Sequence, residues 1–303
     1  MKKLISLFVC ISLLCLSCAA LADGKVTPPA ETAVTTIAQA VEDVNGDGAA
    51  DTVTLTGKQV PDAALWENLS LTVKDGATGE TAELALYEST GYDPQLWTGS
   101  LTAPESREIM VTLESGGSGG TCYYSVFGAK DGGYAPIFDT EAYCAENIFS
   151  VTFEDQYLVR VQSAADGTVC VLSLANREAD YLNELYNEDG TLKSAATGDV
   201  YGLGYMLPVD TDGDGVCELV AFQSVCGLYH ADALGTLMNV LHWDGERFVS
   251  NGQSVIVPME APAAASEAAA AAEAEVPAET PAAETEAPAE APSAEPEQNG
   301  AVG

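Results

Sequence analysis

Residues 210–218, here called the last loop, carry the side-chain spacing of a cation-binding turn. Aspartates stand at positions 1, 3 and 5 of this segment, glycines at positions 4 and 6, and a glutamate at position 9. Glycine permits the tight turn that points the acids inward, and Ca²⁺ takes six to eight oxygen ligands. The sequence therefore predicts a calcium site whose side-chain ligands are Asp210, Asp212, Asp214 and Glu218.

A second segment, residues 43–51, repeats this pattern and is called the first loop. A backbone carbonyl at position 7, from Ala49 or Val216, is expected to complete each ligand set. The first loop offers three carboxylates and the last loop four, so we expect the last loop to bind calcium more tightly. The predicted side-chain ligands of the first loop are Asp43, Asn45, Asp47 and Asp51.

An EF-hand loop is the competing interpretation, because it begins with the same spacing of aspartates. EF-hands need a bidentate glutamate at position 12 and a helix on each side. Position 12 is Thr54 in the first loop and Ala221 in the last loop, and both loops run directly into strand-like sequence. The pattern favours a loop between β-strands.

The two loops begin 167 residues apart, which fits three intervals of about 56 residues. A weaker copy, the middle loop, spans residues 100–108. It keeps oxygen-bearing side chains at positions 1, 3 and 9, but Pro104 replaces the acid at position 5. We interpret it as a copy that keeps the fold and has lost the metal. The copy expected near residue 155 has strand-like sequence without a loop motif.

Short segments of alternating apolar and polar residues dominate the rest of the chain, which predicts an all-β protein. Asp-Gly pairs between them are typical of hairpin turns. Grouped by the repeat, the segments predict a small β-propeller-like array of about four four-stranded blades. The predicted strands are 35–41, 51–56, 69–74, 81–87, 95–101, 108–113, 122–129, 135–139, 149–154, 157–162, 168–174, 203–209, 219–225, 237–243 and 247–249, with one helix at 176–187.

The loop motif followed by an apolar strand resembles the calcium loops of FG-GAP/VCBS repeat proteins, which also occur in integrin α-chain propellers. The resemblance covers about residues 33–258 and is specific at the first and last loops. It implies calcium loops at blade edges and a role in adhesion or ligand binding.

The two ends of the chain differ from its centre. Residues 1–22 read as a signal peptide, with Lys2 and Lys3 before an apolar run and a small-residue cleavage site. We expect a secreted protein with no transmembrane segment after cleavage; a lipid anchor at Cys18 or association with the cell envelope is the alternative. Residues 23–258 are expected to form one domain. Residues 259–303, rich in Ala, Pro and Glu, are expected to be a disordered tail.

The charge of the chain bears on its partners, and its cysteines bear on possible disulfides. Without the ten Glu of the tail and the two Lys of the signal peptide, 36 acids face nine bases, a balance that repels nucleic acid and attracts divalent cations. The mature chain keeps five cysteines, of which Cys122 and Cys144 are the first pair to test for a disulfide. His230 and Asp232 are weaker candidates for a ligand pocket.

Taken together, the sequence predicts a secreted calcium-binding module for adhesion, with an unknown extracellular protein or glycan as partner and calcium in a structural role. An envelope-associated structural protein without a specific ligand is the alternative. No catalytic residues are predicted. A glycan-active enzyme with an acidic cleft is the third hypothesis.

Overall fold

The computed structural model describes residues 33–258. The predicted signal peptide and the predicted tail lie outside these residues. Within residues 33–258, no helix has the length and apolar character needed to cross a membrane.

The described chain is all-β, as predicted, with fifteen strands in two sheets and two short helices. The first sheet contains β1 (Thr35–Glu42), β2 (Asp51–Gln59), β3 (Leu65–Lys74), β4 (Thr81–Leu84), β5 (Gly91–Gly99), β6 (Glu108–Glu114), β7 (Cys122–Lys130) and β8 (Gly133–Phe138). The second contains β9 (Phe149–Glu154), β10 (Leu158–Ser163), β11 (Val169–Ser173), β12 (Thr197–Val209), β13 (Glu218–Cys226), β14 (Ala233–Trp243) and β15 (Phe248–Ile256). The helices are α1 (Thr140–Glu146) and α2 (Ala179–Leu185).

The strands pair in two sheets rather than in four separate sheets of four. The first sheet has the order β1-β2-β3-β5-β6-β7-β8, with β4 also paired to β3, and the second has the order β11-β10-β9-β12-β13-β14-β15. Each sheet has a short joint. Strands β3 and β5 pair only at Leu65–Tyr92 and Trp66–Gly91, and β9 and β12 pair at two positions near Gly198. These joints divide the strands into four strand groups: β1–β4, β5–β8, β9–β11 and β12–β15.

Alternating burial explains why the strand predictions succeed. In β2 the residues Asp51, Val53, Leu55 and Gly57 are buried, whereas the threonines between them are only partly buried. A strand with one face on the core shows this period of two in its sequence. The tight β9–β10 turn carries positive φ at Gln156 and Tyr157, so no loop stands where a fourth copy of the motif was expected.

The described residues form two compact units. One comprises residues 33–145, 202–222 and 239–252, and the other comprises residues 146–201, 223–238 and 253–258. The first unit has two apolar clusters, one centred on Leu55, Leu71 and Val111 and the other on Tyr124, Leu203 and Leu219. The second unit has one cluster, which includes Phe153 and Val159.

Three local features differ from the sequence analysis or go beyond it. Helix α1 was not predicted; it begins after Asp139, whose Oδ1 accepts a hydrogen bond from the Ala142 amide at 2.9 Å. Strand β12 begins at Thr197, six residues before its predicted start at 203. All five cysteines of the described chain are free thiols, so Cys122 and Cys144 form no disulfide.

The turn between β10 and β11 gives a prediction for acidic pH. The Asp166 carboxylate accepts hydrogen bonds from the Thr168 amide at 3.0 Å and the Thr168 hydroxyl at 2.8 Å. These bonds favour the charged form and lower the pKa of Asp166. Its stabilising effect is therefore complete above the unfolded-state pKa, about 3.9, and is lost as pH falls through the lower folded-state pKa. We expect Thr168→Val to raise the Asp166 midpoint measured by NMR titration.

Asp189 provides the matched control, because the amide and hydroxyl of Thr191 lower its pKa in the same way. Thr191→Val should move the Asp189 midpoint and leave that of Asp166 in place. An Asp166 midpoint that is the same in wild type and Thr168→Val would contradict the assignment.

Candidate cation-binding loops

The last loop connects β12 to β13 and brings three carboxylates together. Oxygen atoms of Asp210, Asp212 and Asp214 all lie within 4.8 Å of one another, and all three side chains are exposed. The Oδ2 atoms of Asp212 and Asp214 accept no hydrogen bond from the described residues. Three like charges at this distance repel one another unless a cation lies between them.

The first aspartate of each calcium-type loop holds the backbone in its turn. Asp43 accepts hydrogen bonds from the amides of positions 4 and 6, Gly46 at 2.7 Å and Gly48 at 2.8 Å. Asp210 does the same at 2.7 and 3.1 Å. The glycines have φ of +80° and +89° in the first loop and +82° and +88° in the last loop, a region that favours glycine.

Positions 3 and 5 repeat one further contact in both loops. In each case the side-chain oxygen accepts a hydrogen bond from the amide two residues later, which fixes the side chain on the inside of the turn. For Asn45 and Asp47 these distances are 2.9 and 2.7 Å, and for Asp212 and Asp214 they are 3.2 and 2.8 Å. The two loops therefore have one common backbone conformation.

The acid at position 9 is buried in all three loops and closes each of them. Asp51 accepts a hydrogen bond from the Val44 amide at 3.1 Å, and Glu218 accepts one from the Thr211 amide at 2.9 Å. Glu108 contacts the corresponding amide, that of Leu101, at 2.6 Å. Position 9 thus bonds the amide of position 2, and Glu218 lies outside the group formed by positions 1, 3 and 5.

The first loop includes a residue that sequence reasoning missed. Asp75, in the β3–β4 turn, accepts a hydrogen bond from Nδ2 of Asn45 at 3.0 Å. The next residue, Gly76, donates its amide to Asp51 at 2.9 Å. A Cβ on Gly76 would lie 2.0 Å from the carbonyl oxygen of Ala50, so this turn reaches the loop only with glycine. The Asp-Gly pair indicated a turn but not its position beside the loop.

The negative field of the first loop extends to Tyr134 of β8. Burial raises the pKa of Tyr134 to about 12, and the nearby charges of Asp51, Asp75 and Asp47 act in the same direction. At the last loop, burial and the charge of Asp210 raise the pKa of Cys217. Both groups therefore stay protonated and neutral at physiological pH, so neither adds to the negative charge of the loops.

The middle loop is linked to the last loop and to the end of β1 within the first unit. The Cys217 amide of the last loop donates a hydrogen bond to the Ser100 carbonyl of the middle loop at 2.8 Å. Arg107 of the middle loop forms an ion pair with Glu42, which precedes the first loop, with an Nε–Oε2 distance of 3.3 Å. The middle loop is therefore bonded both to the last loop and to the strand that leads into the first loop.

Asp232, considered above for a ligand pocket, has a local structural role. Its side chain is buried and accepts hydrogen bonds from the Tyr181 hydroxyl at 2.8 Å and the Leu228 amide at 2.9 Å. The ring of His230 packs edge-on against Tyr201 with centroids 4.1 Å apart. These contacts hold the β13–β14 loop in the second unit.

Fold and loops together define an all-β protein of two sheets with acidic turn loops between paired strands. A family described as "YybI C-terminal domain" matches residues 147–256, which include the last loop. A Bacillus subtilis (strain 168) protein named "Uncharacterized protein YybI" is 39% identical over 215 residues, covering 71% of this chain and 82% of that relative. The chain belongs to the YybI family. No solved structure matches it.

Proposed function

We propose that this protein binds two calcium ions, one in the first loop and one in the last loop, as a secreted module for binding or adhesion. The observation that carries the proposal is the group of three exposed carboxylates in the last loop, Asp210, Asp212 and Asp214. Oxygen ligands on a curled loop between strands suit a hard divalent cation. Calcium would relieve the repulsion among these charges and rigidify the loop.

Backbone hydrogen bonds support the proposal because they orient the ligands before an ion binds. The inner oxygens of positions 1, 3 and 5 are each fixed by an amide in both loops. Each carboxylate or amide oxygen has two lone pairs, so an oxygen that accepts one amide can still bind a metal. In Asp43 that oxygen is Oδ2, because Oδ1 accepts the amides of both Gly46 and Asp47. The carbonyls of Ala49 and Val216 complete the proposed sets, and Asp51 and Glu218 close the loops while contributing their negative charge.

The last loop is proposed as the tighter site. It has carboxylates at positions 1, 3 and 5, whereas the first loop has Asn45 at position 3. The nearby carboxylate of Asp75, 3.0 Å from the Asn45 amide nitrogen, partly restores the charge of the first site. Because ligand charge tunes calcium affinity, we propose a difference between the sites that is small but measurable.

The four strand groups are the proposed counterparts of four propeller blades. In three of them, a loop with the acidic motif or its weaker copy connects the first strand to the second: β1 to β2, β5 to β6 and β12 to β13. This equivalence supports the likeness to FG-GAP/VCBS repeats, in which the calcium loops hold blade edges. A crystal structure grown with calcium tests the assignment.

Calcium titration of wild type tests the metal proposal. We expect two ions per chain with Kd values of about 10⁻⁴ to 10⁻³ M, as in other extracellular modules. At a calcium concentration twentyfold above Kd, one site stabilises the fold by about 1.8 kcal/mol, which raises the melting temperature by about 4–7 °C. Asp212→Ala should leave only the ion of the first loop, and Asp43→Ala should leave only the ion of the last loop.

Glu67→Ala removes an exposed acid outside the loops and is the matched control. It should keep both ions. Absence of calorimetric calcium binding to wild type, or unchanged binding in Asp212→Ala, rules the proposal out.

A glycan array and a panel of extracellular proteins test the proposed partner class. Calcium-dependent capture of a glycan or protein supports the adhesion role. Calcium-raised melting without any captured partner favours the alternative, an envelope-associated structural protein. Glycan hydrolysis that is lost on changing one acid outside both loops would favour the enzyme hypothesis instead.

A further inference from the structure

We propose that the middle loop is a cation site that the chain fills itself, with the guanidinium of Arg107 in the place that a metal ion takes in the first and last loops. The comparison with a metal rests on the proposed function, whereas the contacts of the guanidinium do not. The middle loop, interpreted from the sequence as a copy that has lost its metal, would then contain a cation from its own chain.

One nitrogen of Arg107 lies among three oxygens of the loop. Its Nη1 donates to the Ser100 hydroxyl and to the Ser106 carbonyl, each at 2.6 Å. The Pro104 carbonyl is 3.2 Å away. These oxygens belong to positions 1, 7 and 5, and positions 1 and 7 provide a side-chain and a carbonyl ligand in the calcium sets. The guanidinium thus contacts oxygens at two of the positions that supply the proposed calcium ligands.

The middle loop shares the contact of position 9 with the calcium-type loops, although none of its residues has the positive φ of their glycines. Glu108 at position 9 is 3% exposed and accepts a hydrogen bond from the Leu101 amide at position 2, as Asp51 and Glu218 do in their loops. It also accepts bonds from the Thr102 and Ser106 hydroxyls at 2.6 and 2.9 Å. The buried carboxylate is therefore satisfied by the loop itself, and the turn is built without an acid at positions 1, 3 and 5.

The low negative charge of the middle loop suits a monovalent cation that is attached to the chain. Positions 1, 3 and 5 are Ser100, Thr102 and Pro104, all uncharged, so this loop would hold a divalent ion weakly. The counter-charge comes from Glu42, whose Oε2 is 3.3 Å from Nε of Arg107. Hydrogen bonds from a charged donor are the stronger ones in proteins, and here they replace metal–oxygen bonds.

The tethered guanidinium of Arg107 has a consequence for the chain segments that the middle loop contacts. A chelator removes calcium but not Arg107, so the middle loop keeps its conformation without calcium. It is bonded to the last loop through Ser100 and Cys217, and to the start of the first loop through Glu42. The middle loop therefore keeps these neighbouring chain segments in position when both calcium sites are empty.

Thermal unfolding of Arg107→Met and Arg107→Lys, each in calcium and in EDTA, tests this role. We expect Arg107→Met to lower the melting temperature by about 5 °C in both media. Arg107→Lys should lose less, because an ammonium keeps the charge but not the fork of donors. Lys130→Met removes an exposed cation from the same unit and should change the melting temperature by no more than about 1 °C.

An unchanged melting temperature of Arg107→Met in EDTA overturns the proposal, and so does a loss that calcium reverses. If Arg107→Met fails to fold, the lysine variant decides: a folded lysine variant supports the proposal, and an unfolded one overturns it. A third calcium ion per wild-type chain also overturns it. Absence of any calcium binding refutes the proposed function alone, because the comparison in EDTA still tests Arg107.

Discussion

Replacing Tyr124 by phenylalanine is expected to lower the free energy of unfolding by about 2–4 kcal/mol. The Tyr124 side chain is 2% exposed, and its hydroxyl bridges two backbone groups of β12. It donates to the Gly204 carbonyl at 3.0 Å and accepts from the Met206 amide at 2.7 Å. Phenylalanine keeps the packing but leaves the buried Met206 amide and the half-buried Gly204 carbonyl without their partner, and a buried group left in this way costs about 1–3 kcal/mol.

Urea unfolding of Tyr123→Phe provides the control. Tyr123 is the next residue on β7, is partly buried, and packs against Tyr87 with ring centroids 6.0 Å apart. Its hydroxyl has no hydrogen bond to the described residues, so its loss should change stability by no more than about 0.5 kcal/mol. Equal losses for the two variants would mean that the bridge to β12 contributes little. Since burial raises the pKa of Tyr124, the bridge should persist up to strongly alkaline pH.

Asp51→Ala is expected to be the most damaging change in the first loop, with a loss of about 2–4 kcal/mol even in EDTA. Asp51 is fully buried, and its two oxygens accept hydrogen bonds from the Val44 amide at 3.1 Å and the Gly76 amide at 2.9 Å. Alanine leaves both amides unpaired and releases the turn that carries Asp75. The loss follows from the fold itself, before any metal binds.

Asp47→Ala is the matched contrast, because Asp47 is exposed and lies in the same loop. Its unfolding free energy in EDTA should stay within about 0.5 kcal/mol of wild type, and its deficit should emerge only when calcium is added. If Asp51→Ala does not fold, Asp51→Asn provides the measurement, because asparagine keeps one of the two acceptors. Losses for Asp51→Ala and Asp47→Ala that appear only in calcium would contradict the structural role of position 9.

The sequence predicted what is local and periodic. All fifteen strands were predicted because a strand with one buried face has an apolar or buried residue at every second position, as β2 does. The loops were predicted because their glycines and acids lie within nine residues of one another. Helix α1 was missed because its seven residues carry no apolar stripe, and its start depends on the single acceptor Asp139.

What the sequence could not predict depends on contacts between distant residues. Asp75 reaches Asn45 from 30 positions further along the chain, and only the close approach of residue 76 to Ala50 explains why glycine follows Asp75 in that turn. The ion pair of Arg107 with Glu42 likewise joins two different strand groups. A base at position 8 of the middle loop was the one local sign that a cation could already be present there.

The short joints between strand groups bear on how such a chain can evolve. At the joint between β3 and β5, adding or removing one strand group interrupts only two backbone pairs of the sheet, together with the contacts of β1 with β5 and of Glu42 with Arg107. The strand pairs with many paired residues, such as β1 with β2, lie inside one group. A duplicated group would therefore contain these pairs complete. Gene duplication can therefore lengthen this architecture by whole strand groups. A copy that later loses its acids can remain in the chain if one of its own side chains supplies the missing positive charge.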